Sequence, residues 1–243
     1  MFRRLRVLFL VLIIVLSSNA IFAEGYTPQV GETLEFKVIL KSFLHAGNQT
    51  VRVVKKEVYN SKEVFAVHSQ LETVGFAKAL YKYAEIEDLL LDADGLFPRY
   101  TRRECHEGSK IRIEEVVFDY ENSVAERTVT VDGAKSSSQI KLPGPVQDAL
   151  SLQFYLRKEG FTSGENKVFF YGDGNIKEIA FTASLITNQA LKLDCGTFSQ
   201  YSQFSNEPSK ITVLVDNDLH LPLIIKQVAG FGKVESKLVK YTN

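Results

Sequence analysis

Alternation of apolar and polar residues with a period of two is the dominant pattern along the chain. In residues 33–41 every second side chain is apolar, namely Leu34, Phe36, Val38 and Leu40. Because successive side chains on a β-strand point to opposite faces, such a segment buries one face and exposes the other. Residues 128–131 and 211–215 repeat the pattern less regularly. The alternation predicts strands that each contribute one face to a core.

Residues 111–120 interrupt this alternation. The apolar positions are odd-numbered up to Ile113 and even-numbered from Val116 onward. A β-bulge, which adds one residue to one strand of a pair, realigns such a phase slip and bends the sheet. We predict a bulge near Glu114 and Glu115.

Turn-forming residues fall at short intervals between the strand patterns. They include Asn60-Ser61, Asp132-Gly133, Gly172-Asp173-Gly174-Asn175 and Asp216-Asn217-Asp218. These residue types tolerate the tight backbone of hairpin turns, so the spacing predicts about a dozen antiparallel strands. Since a flat open sheet of that size is strained and leaves long edges, we predict a mainly β fold, a large curved antiparallel sheet or an incomplete β-barrel.

Two segments lack the strand pattern. Val74–Tyr81 predicts a short turn or helix. Val146–Lys158 predicts a helix, because Pro143-Gly144-Pro145 precedes it and proline is tolerated in a first helical turn, while Gly160 supplies a stop. Its apolar residues leave little polar surface, which is typical of a buried helix. We place this one buried helix in the concavity of the curved sheet.

The first 23 residues have the order of a secretory signal peptide, with a cationic start, an apolar run and small residues before a cleavage site. The charged residues are Arg3, Arg4 and Arg6, and the apolar run is Val7–Leu16. Ten residues span about 15 Å as a helix, roughly half of a bilayer core. We therefore predict cleavage rather than anchoring, after Ala23 in preference to Ala20.

This leader divides the chain into a signal peptide, residues 1–23, and a single β-rich domain, residues 24–243. No cysteine lies near either cleavage site, so we do not expect a lipid-anchored lipoprotein. The expected mature chain has no transmembrane span.

Composition and charge narrow the class of partner. Apolar residues make up 45% of the chain, which excludes disorder for most of it. The full chain carries 29 basic and 29 acidic residues, and loss of the leader removes three arginines, so the mature chain is slightly acidic. Because the sequence contains no basic run, we predict no nucleic-acid partner.

Cys105 and Cys195 are the two cysteines of the sequence. An even number of cysteines in an exported protein favours a disulfide, whereas two separate, partly buried thiols are the ordinary alternative. The sequence leaves both open. A Cα–Cα distance beyond about 7 Å would exclude the bridge.

No motif predicts catalysis, a metal or a cofactor. In Cys105-His106-Glu107 neighbouring side chains point to opposite faces of a strand, so they do not share one zinc ion. Ser151 is not in a Gly-x-Ser-x-Gly elbow. The carboxylates between Glu85 and Asp94 are paired-acid candidates for glycoside cleavage, but a solvated face is the simpler interpretation. We predict no catalytic and no metal-binding residue.

Arg157 is the one side chain that suggests a ligand. An arginine at the end of an apolar helix either anchors the helix by pairing with a carboxylate or holds the anionic head group of a ligand. In the second case Tyr155 and Arg157 are the predicted ligand-binding residues.

Several local patterns, taken in order, resemble a family of exported bacterial proteins known as domain of unknown function 3108. They are Gly31–Phe36 at the first strand, Asp94–Pro98 at a turn, Asp148–Arg157 in the helix, Cys195–Phe198 at a strand start and Asp216–Leu223 in a late hairpin. Leu214-Val215 stands where the family often has a tryptophan. The resemblance implies an exported, mostly periplasmic, β-rich protein with no established activity, similar in fold to curved-sheet carriers of lipoproteins.

Two hypotheses for the function follow. The first is a non-enzymatic periplasmic protein that binds a lipid, a lipoprotein acyl chain or another apolar ligand in the cavity of the curved sheet. The 17 phenylalanines and 10 tyrosines favour it, although an ordinary packed core also accounts for them. The second is a structural or protein-interaction component of the envelope without a small-molecule ligand.

Overall fold

The computed structural model describes residues 25–158, 163–229 and 232–242 of the chain. The predicted signal peptide, its cleavage sites after Ala20 and Ala23, and Gly160 lie outside the described residues. Neither helix in the described part of the chain is long and apolar enough to cross a bilayer.

The described residues form one large curved sheet of fifteen strands and a separate two-stranded hairpin. The strands of the large sheet are β1 Thr33–Leu40, β2 Leu44–Tyr59, β3 Lys62–Thr73, β4 Tyr83–Asp92, β5 Pro98–Glu107, β6 Lys110–Asp119, β7 Val124–Val131, β8 Ala134–Lys141, β9 Val146–Gln147, β10 Gly164–Gly172, β11 Asn175–Ile186, β14 Tyr201–Asn206, β15 Ile211–Asp216, β16 Pro222–Ala229 and β17 Gly232–Thr242. The hairpin is β12 Leu191–Leu193 with β13 Gly196–Phe198.

The order across the sheet is β8-β7-β6-β5-β4-β3-β2-β1-β17-β16-β15-β14-β11-β10-β9. Every pair is antiparallel except β9 with β10. Within the described ranges no pairing joins the two edge strands β8 and β9, so the sheet is an incomplete barrel, as predicted. The described residues form seventeen strands, more than the predicted dozen. The strands β9, β12 and β13 are too short to show an alternating pattern, and β8 is polar along most of its length.

Several predicted turns form hairpins of two residues. Asn60 and Ser61 both have positive φ, 47° and 63°, and Tyr59 pairs with Lys62 across them. Positive φ at both central residues is the geometry of a type I′ turn, which matches the twist of the flanking strands. Asp132-Gly133 has the same combination of dihedral signs, with φ of 49° and 88°.

The bulge predicted near Glu114 and Glu115 is wrong. β6 pairs with β5 and β7 without a shift in register. Glu114 therefore faces inward like Val116, and both side chains are buried. Shifts in register occur instead in the pairs β1–β17, β1–β2, β2–β3, β4–β5 and β15–β16. The phase slip in β6 reflects a charged residue at an inward position.

The two helices are short. α1 spans Gly75–Leu80 and α2 spans Ala149–Tyr155. The predicted start of α2 at Val146 is wrong, because Val146–Gln147 forms the short parallel strand β9. Asp148 sets the start instead. Its carboxylate accepts a hydrogen bond from the Ser151 backbone N–H (2.7 Å), and the Ser151 hydroxyl accepts one from the Asp148 N–H (2.9 Å), forming a capping box.

The helix α2 fills part of the concavity, as predicted. Leu150 and Phe154 pack into the main core with inward side chains of the sheet such as Phe36. On another side of the helix, Leu152 packs into a second apolar cluster that includes Phe181. The apolar part of the interior is therefore occupied by the protein itself.

Cys105 and Cys195 are free thiols, so the disulfide alternative is wrong. Cys105 lies on β5 and its Sγ is 3.2 Å from Glu85 Oε2. Cys195 lies in the turn between β12 and β13, where its Sγ is 3.5 Å from the Leu238 carbonyl oxygen. The fold engages each cysteine in a different set of contacts.

Candidate functional site

The inward face of strands β4 to β7 is charged rather than apolar. Side chains two positions apart on a strand share a face. Leu89 on β4 and Val116 on β6 face the interior and are buried, and charged and polar side chains at the same alternate positions face the interior as well. Together with side chains from β10, its turn and the start of α2, they form what we call the polar groove. Its members are Tyr83, Glu85, Glu87, Arg103, Cys105, Arg112, Glu114, Arg127, Asp148, Tyr171 and Asp173.

Two adjoining cavities occupy the polar groove. One of about 330 Å³ is bordered by Tyr83, Glu85, Cys105 and Arg112, among others. The other, of about 210 Å³, is bordered by Glu87, Glu114, Asp148 and Tyr171, among others. Arg103 and Asp173 border both cavities, so the two lie side by side.

Glu114 is the centre of a buried network between the strands. It accepts hydrogen bonds from Arg127 Nε (3.0 Å), Arg112 Nη2 (2.5 Å) and the Tyr171 hydroxyl (2.7 Å), and Arg103 Nη2 lies 3.8 Å from it. Burial alone would raise the pKa of Glu114, but the hydrogen bonds and the neighbouring arginines bring it below the usual value. This carboxylate is therefore ionised and fully occupied by its partners.

Glu85 has neutral partners instead. The Tyr83 hydroxyl donates to its Oε2 at 2.5 Å, and the Cys105 thiol donates to the same atom at 3.2 Å. Burial, with the Glu85 charge adding to it, raises the pKa of Cys105 to about 11. Burial and Glu85 likewise raise the pKa of Tyr83. Both donors therefore keep their protons at neutral pH.

Glu87 and Asp148 lie deeper, beside Arg103. Asp148 is committed to capping α2, and burial raises its pKa. Glu87 lies deep in the concavity but faces the smaller cavity, and in the described part of the chain it has no hydrogen bond and no ion pair. Burial raises the pKa of Glu87 well above the usual value, and the charges of Asp148 and Glu85 add to this effect. Glu87 is thus a partly buried carboxyl group of the polar groove with open hydrogen-bonding capacity.

Arg157 lies away from both cavities and is almost fully buried, with 2% of its surface exposed. Its Nη1 is 2.6 Å from Glu32 Oε1, an ion pair whose angle lies outside hydrogen-bond geometry. Its Nε donates to the His220 carbonyl, and its guanidinium lies 3.8 Å from the centre of the Tyr26 ring. These contacts are those of the helix-anchoring alternative.

Tyr155 is half-buried and packs against the second apolar cluster. Neither Tyr155 nor Arg157 borders the cavities of the polar groove. A role of these two residues in ligand binding stays a prediction.

The residues that do line the cavities were missed by sequence reasoning. The solvated-face interpretation of the carboxylates between Glu85 and Asp94 is wrong for three of them, because Glu85 and Glu87 face the polar groove and Asp92 is buried against Arg99 at 2.7 Å. The available signal was parity, since Glu85 and Glu87 share it with the apolar Leu89.

The motif Cys105-His106-Glu107 separates in the way that strand geometry predicts. Cys105 faces the polar groove, whereas His106 Nε2 lies 2.7 Å from Glu104 Oε1, a side chain of the opposite parity to Cys105. Across the described residues, no group of three or more histidine, cysteine, aspartate or glutamate side chains is placed to hold a metal ion.

A third cavity, of about 470 Å³, lies on the other face of the sheet. Its border includes the apolar side chains Val54, Leu90 and Tyr100, and His68 and Asp88, which are 2.8 Å apart, lie beside them. It is a surface depression of β2 to β5 and is separate from the concave interior.

Comparison with solved structures finds proteins of similar architecture. A β-barrel-like protein of domain of unknown function DUF1849 from Brucella abortus aligns with a TM-score of 0.50 and 11% identity, over 89% of this chain and 99% of that chain. A candidate lipoprotein from Parabacteroides distasonis (TM-score 0.32, 12% identity, 89% and 97% coverage) and a candidate exported protein with a YmcC-like fold from Bacteroides fragilis (0.32, 7%, 90% and 99%) align more loosely. The first shares the fold, and none of the three indicates a function for this chain.

No curated protein matches the sequence. One family model does, and its match runs over residues 34–239, from the first strand to the last and through the whole polar groove. This is also the family that the local sequence patterns resemble. The chain therefore belongs to the family described as Protein of unknown function (DUF3108).

Proposed function

We propose that the protein is exported by cleavage of residues 1–23 and acts in the periplasm as a ligand-binding protein, with the mature chain forming one domain. Its polar groove holds the polar part of a small molecule. The order of charge, apolar run and small residues at the N-terminus supports export. The two adjoining cavities, of which the smaller lies beside the start of α2, support ligand binding, since ligand sites are concave and carry a few convergent polar groups.

The observation that carries the proposal is Glu87 within the smaller cavity. The Glu87 side chain is partly buried and has no hydrogen-bond partner among the described residues, so a ligand can supply a donor to its carboxyl group. Asp148 and Asp173 border the same cavity and have no ion pair with the described residues, whereas Glu114 is paired with arginines. The surplus of negative charge favours a ligand that presents a protonated amine, or hydroxyl groups, to Glu87.

The geometry also changes the kind of lipid that the hypothesis admits. The apolar part of the concavity is packed with α2 and the inward side chains of the sheet. The open space lies in the polar groove, whose cavities are bordered by charged side chains and by apolar ones such as Ile111 and Phe170. A lipid ligand would accordingly bind by its head group in the polar groove, and its acyl chain would extend out of the mouth.

The test combines an unbiased search with a matched pair of variants. The mature protein is purified from the periplasm, examined by native mass spectrometry and extracted with organic solvent, which reports any small molecule that copurifies. Saturation-transfer NMR with ethanolamine and with glycerol then compares the parent protein, Glu87→Gln and Glu63→Gln. Glu63 is the control because it is exposed and pairs with Lys56 at 2.9 Å on the protein surface.

We expect the ethanolamine signal to be lost in Glu87→Gln and kept in Glu63→Gln. In the parent it should strengthen as the pH rises from 5 to 8, because the raised pKa of Glu87 delays its ionisation. A glycerol signal that survives in Glu87→Gln would identify hydroxyl rather than ammonium recognition. A parent that binds neither probe and copurifies with no small molecule would overturn the proposal and favour the protein-interaction hypothesis.

A further inference from the structure

Four large apolar side chains project into solvent at one end of the sheet. Their exposed fractions are 81% for Phe43, 70% for Leu80, 65% for Phe76 and 52% for Tyr81. We call these four residues the apolar rim. Single exposed apolar side chains are ordinary, but a group of this size from neighbouring segments is typical of an interaction site.

The fold brings the two segments of the apolar rim together. Phe43 lies in the turn between β1 and β2, and the other three lie on α1 or directly after it. The Val74 backbone N–H, at the start of α1, donates to the Ala46 carbonyl oxygen at 2.9 Å, and Gly47 pairs with Thr73. The helix therefore begins beside the base of the hairpin that carries Phe43.

Local structure directs these side chains outward. Lys41 and Ser42 have positive φ, 50° and 69°, which makes a tight turn just before Phe43. On α1 the buried residue is Ala77, whereas Phe76 and Leu80, four positions apart, share the side that faces solvent.

The two segments that carry the apolar rim contribute only positive charges, while the carboxylates of Glu72 and Glu107 lie beside it. Residues 40–46 and 73–83 contain Lys41, Lys78 and Lys82 and no aspartate or glutamate. Lys78 pairs with Glu72 at 3.3 Å, whereas Lys41 and Lys82 have no ion pair with the described residues. The Lys41 backbone N–H donates to the Lys233 carbonyl at 2.9 Å. The exposed side chain of Lys233 is therefore a further cation at this end of the sheet.

We propose that the apolar rim inserts into the interfacial layer of an anionic lipid bilayer, with the lysines at the level of the lipid head groups. Aromatic and aliphatic side chains flanked by lysine have the composition of interfacial membrane contacts. The charge argues against a second copy of the chain as the occupant, since face-to-face docking would bring the lysines of both copies together. The inference does not depend on a ligand in the polar groove.

The position of the apolar rim gives the contact a direction. The Tyr81 hydroxyl donates to Glu107, and Glu107 borders the larger cavity of the polar groove. Docking by the apolar rim would therefore bring the Glu107 side of this cavity close to the bilayer surface.

The sequence contains no tryptophan, so one introduced tryptophan is a clean fluorescence probe. Phe43→Trp is mixed with vesicles of equal parts phosphatidylglycerol and phosphatidylethanolamine, and separately with phosphatidylcholine vesicles. Val58→Trp is the matched control, because Val58 is 70% exposed but lies near the other end of β2. We expect the emission of Phe43→Trp to move to shorter wavelength with the anionic vesicles and that of Val58→Trp to stay unchanged.

A partition assay by vesicle sedimentation completes the test with the full mature chain. The double variant Phe43→Ser with Phe76→Ser should partition to anionic vesicles at least about tenfold less than the parent. The double variant Lys41→Gln with Lys82→Gln should also partition less, and its loss should be larger at low salt than at high salt. Val58→Ser should partition like the parent. Circular dichroism melting confirms that each variant is folded. The proposal is overturned by a Phe43→Trp spectrum that vesicles leave unchanged, by an equal shift in Val58→Trp, or by equal binding to phosphatidylcholine vesicles.

Discussion

The buried ion pair between Arg157 and Glu32 gives a quantitative test of how α2 is held in the sheet. Both side chains are nearly inaccessible, with 2% and 3% exposed, and their charged atoms are 2.6 Å apart. The Tyr26 hydroxyl donates to Glu32 at 2.9 Å, and the Tyr26 ring lies against the guanidinium of Arg157. We consider the single variants Glu32→Gln and Arg157→Met and the variant that carries both.

The expected magnitudes follow from the cost of an uncompensated buried charge. Removing one partner of a buried pair costs about 3–5 kcal/mol. In Arg157→Met the loss of unfolding free energy has an upper limit, because the remaining carboxylate can take up a proton instead of staying charged. Protonating an ordinary glutamate at pH 7 costs about 4 kcal/mol. We therefore expect each single variant to lose about 3–4 kcal/mol of unfolding free energy. The double variant has no unpaired charge, so its loss should be at least about 2 kcal/mol smaller than the sum of the two.

Urea unfolding of the mature chain, followed by circular dichroism, measures all four proteins. Glu35→Gln is the control, because Glu35 is also on β1 and pairs with Lys240 at 2.8 Å where both side chains are exposed. Exposed pairs contribute less than about 1 kcal/mol, so this variant should unfold near the parent. If Arg157→Met loses less than about 1 kcal/mol, or if the two single losses simply add, the anchoring role is refuted and the head-group role of Arg157 becomes the better hypothesis.

Three further predictions concern the polar groove and the thiols. Glu87→Gln should raise the unfolding free energy at pH 8 and leave it unchanged near pH 4. The pKa of Glu87 is raised in the folded protein, so its ionised form destabilises the fold once the pH exceeds the pKa of this group in the unfolded chain. Equal urea midpoints for parent and variant at pH 8 would contradict this prediction. Asp148→Ala should lose about 1–2 kcal/mol through the missing cap of α2, whereas Asp148→Asn keeps the acceptor and should lose less in the same assay. Denatured, unreduced protein should show two free thiols by Ellman's reagent, and an intact mass two hydrogens below that of the dithiol form would disprove this. Cys105 in the folded protein should react with iodoacetamide at pH 8 much more slowly than in the unfolded chain, because the fold raises the pKa of its thiol to about 11.

The large sheet is accessible to sequence reasoning because hairpins are local. Each strand pairs mostly with its neighbour in the chain, so alternation and turn residues predict an antiparallel sheet of hairpins. They do not predict β8, because residues 134–141 are almost entirely polar and exposed and have the composition of a linker. The burial of α2 follows in the same way from its apolar composition. The strand β9 does not, because two residues such as Val146–Gln147 carry no period and their partner on β10 is set by tertiary structure.

The start of α2 shows a different limit. Only Gln147 and Asp148 separate Val146 from the apolar residues of the helix, and periodicity alone cannot distinguish a short buried strand from a first helical turn. The deciding feature is Asp148 with Ser151 three residues later, a pair that caps a helix at Asp148. In this chain capping chemistry locates the boundary more accurately than hydrophobicity does.

The polar groove was missed because the interpretation of alternating patterns assumes that inward positions are apolar. Under that assumption Glu114 can only be explained by a bulge, whereas the strand in fact runs straight through with its carboxylate buried. The two explanations make different demands on neighbouring strands, because a buried carboxylate requires cations at matching inward positions and a bulge requires none. Arg103 pairs directly with Glu114 across β5 and β6, and Arg127 on β7 reaches it at 3.0 Å. A phase slip at a carboxylate, accompanied by arginines of inward parity on both adjacent strands, is therefore better explained by an inward charge network than by a bulge.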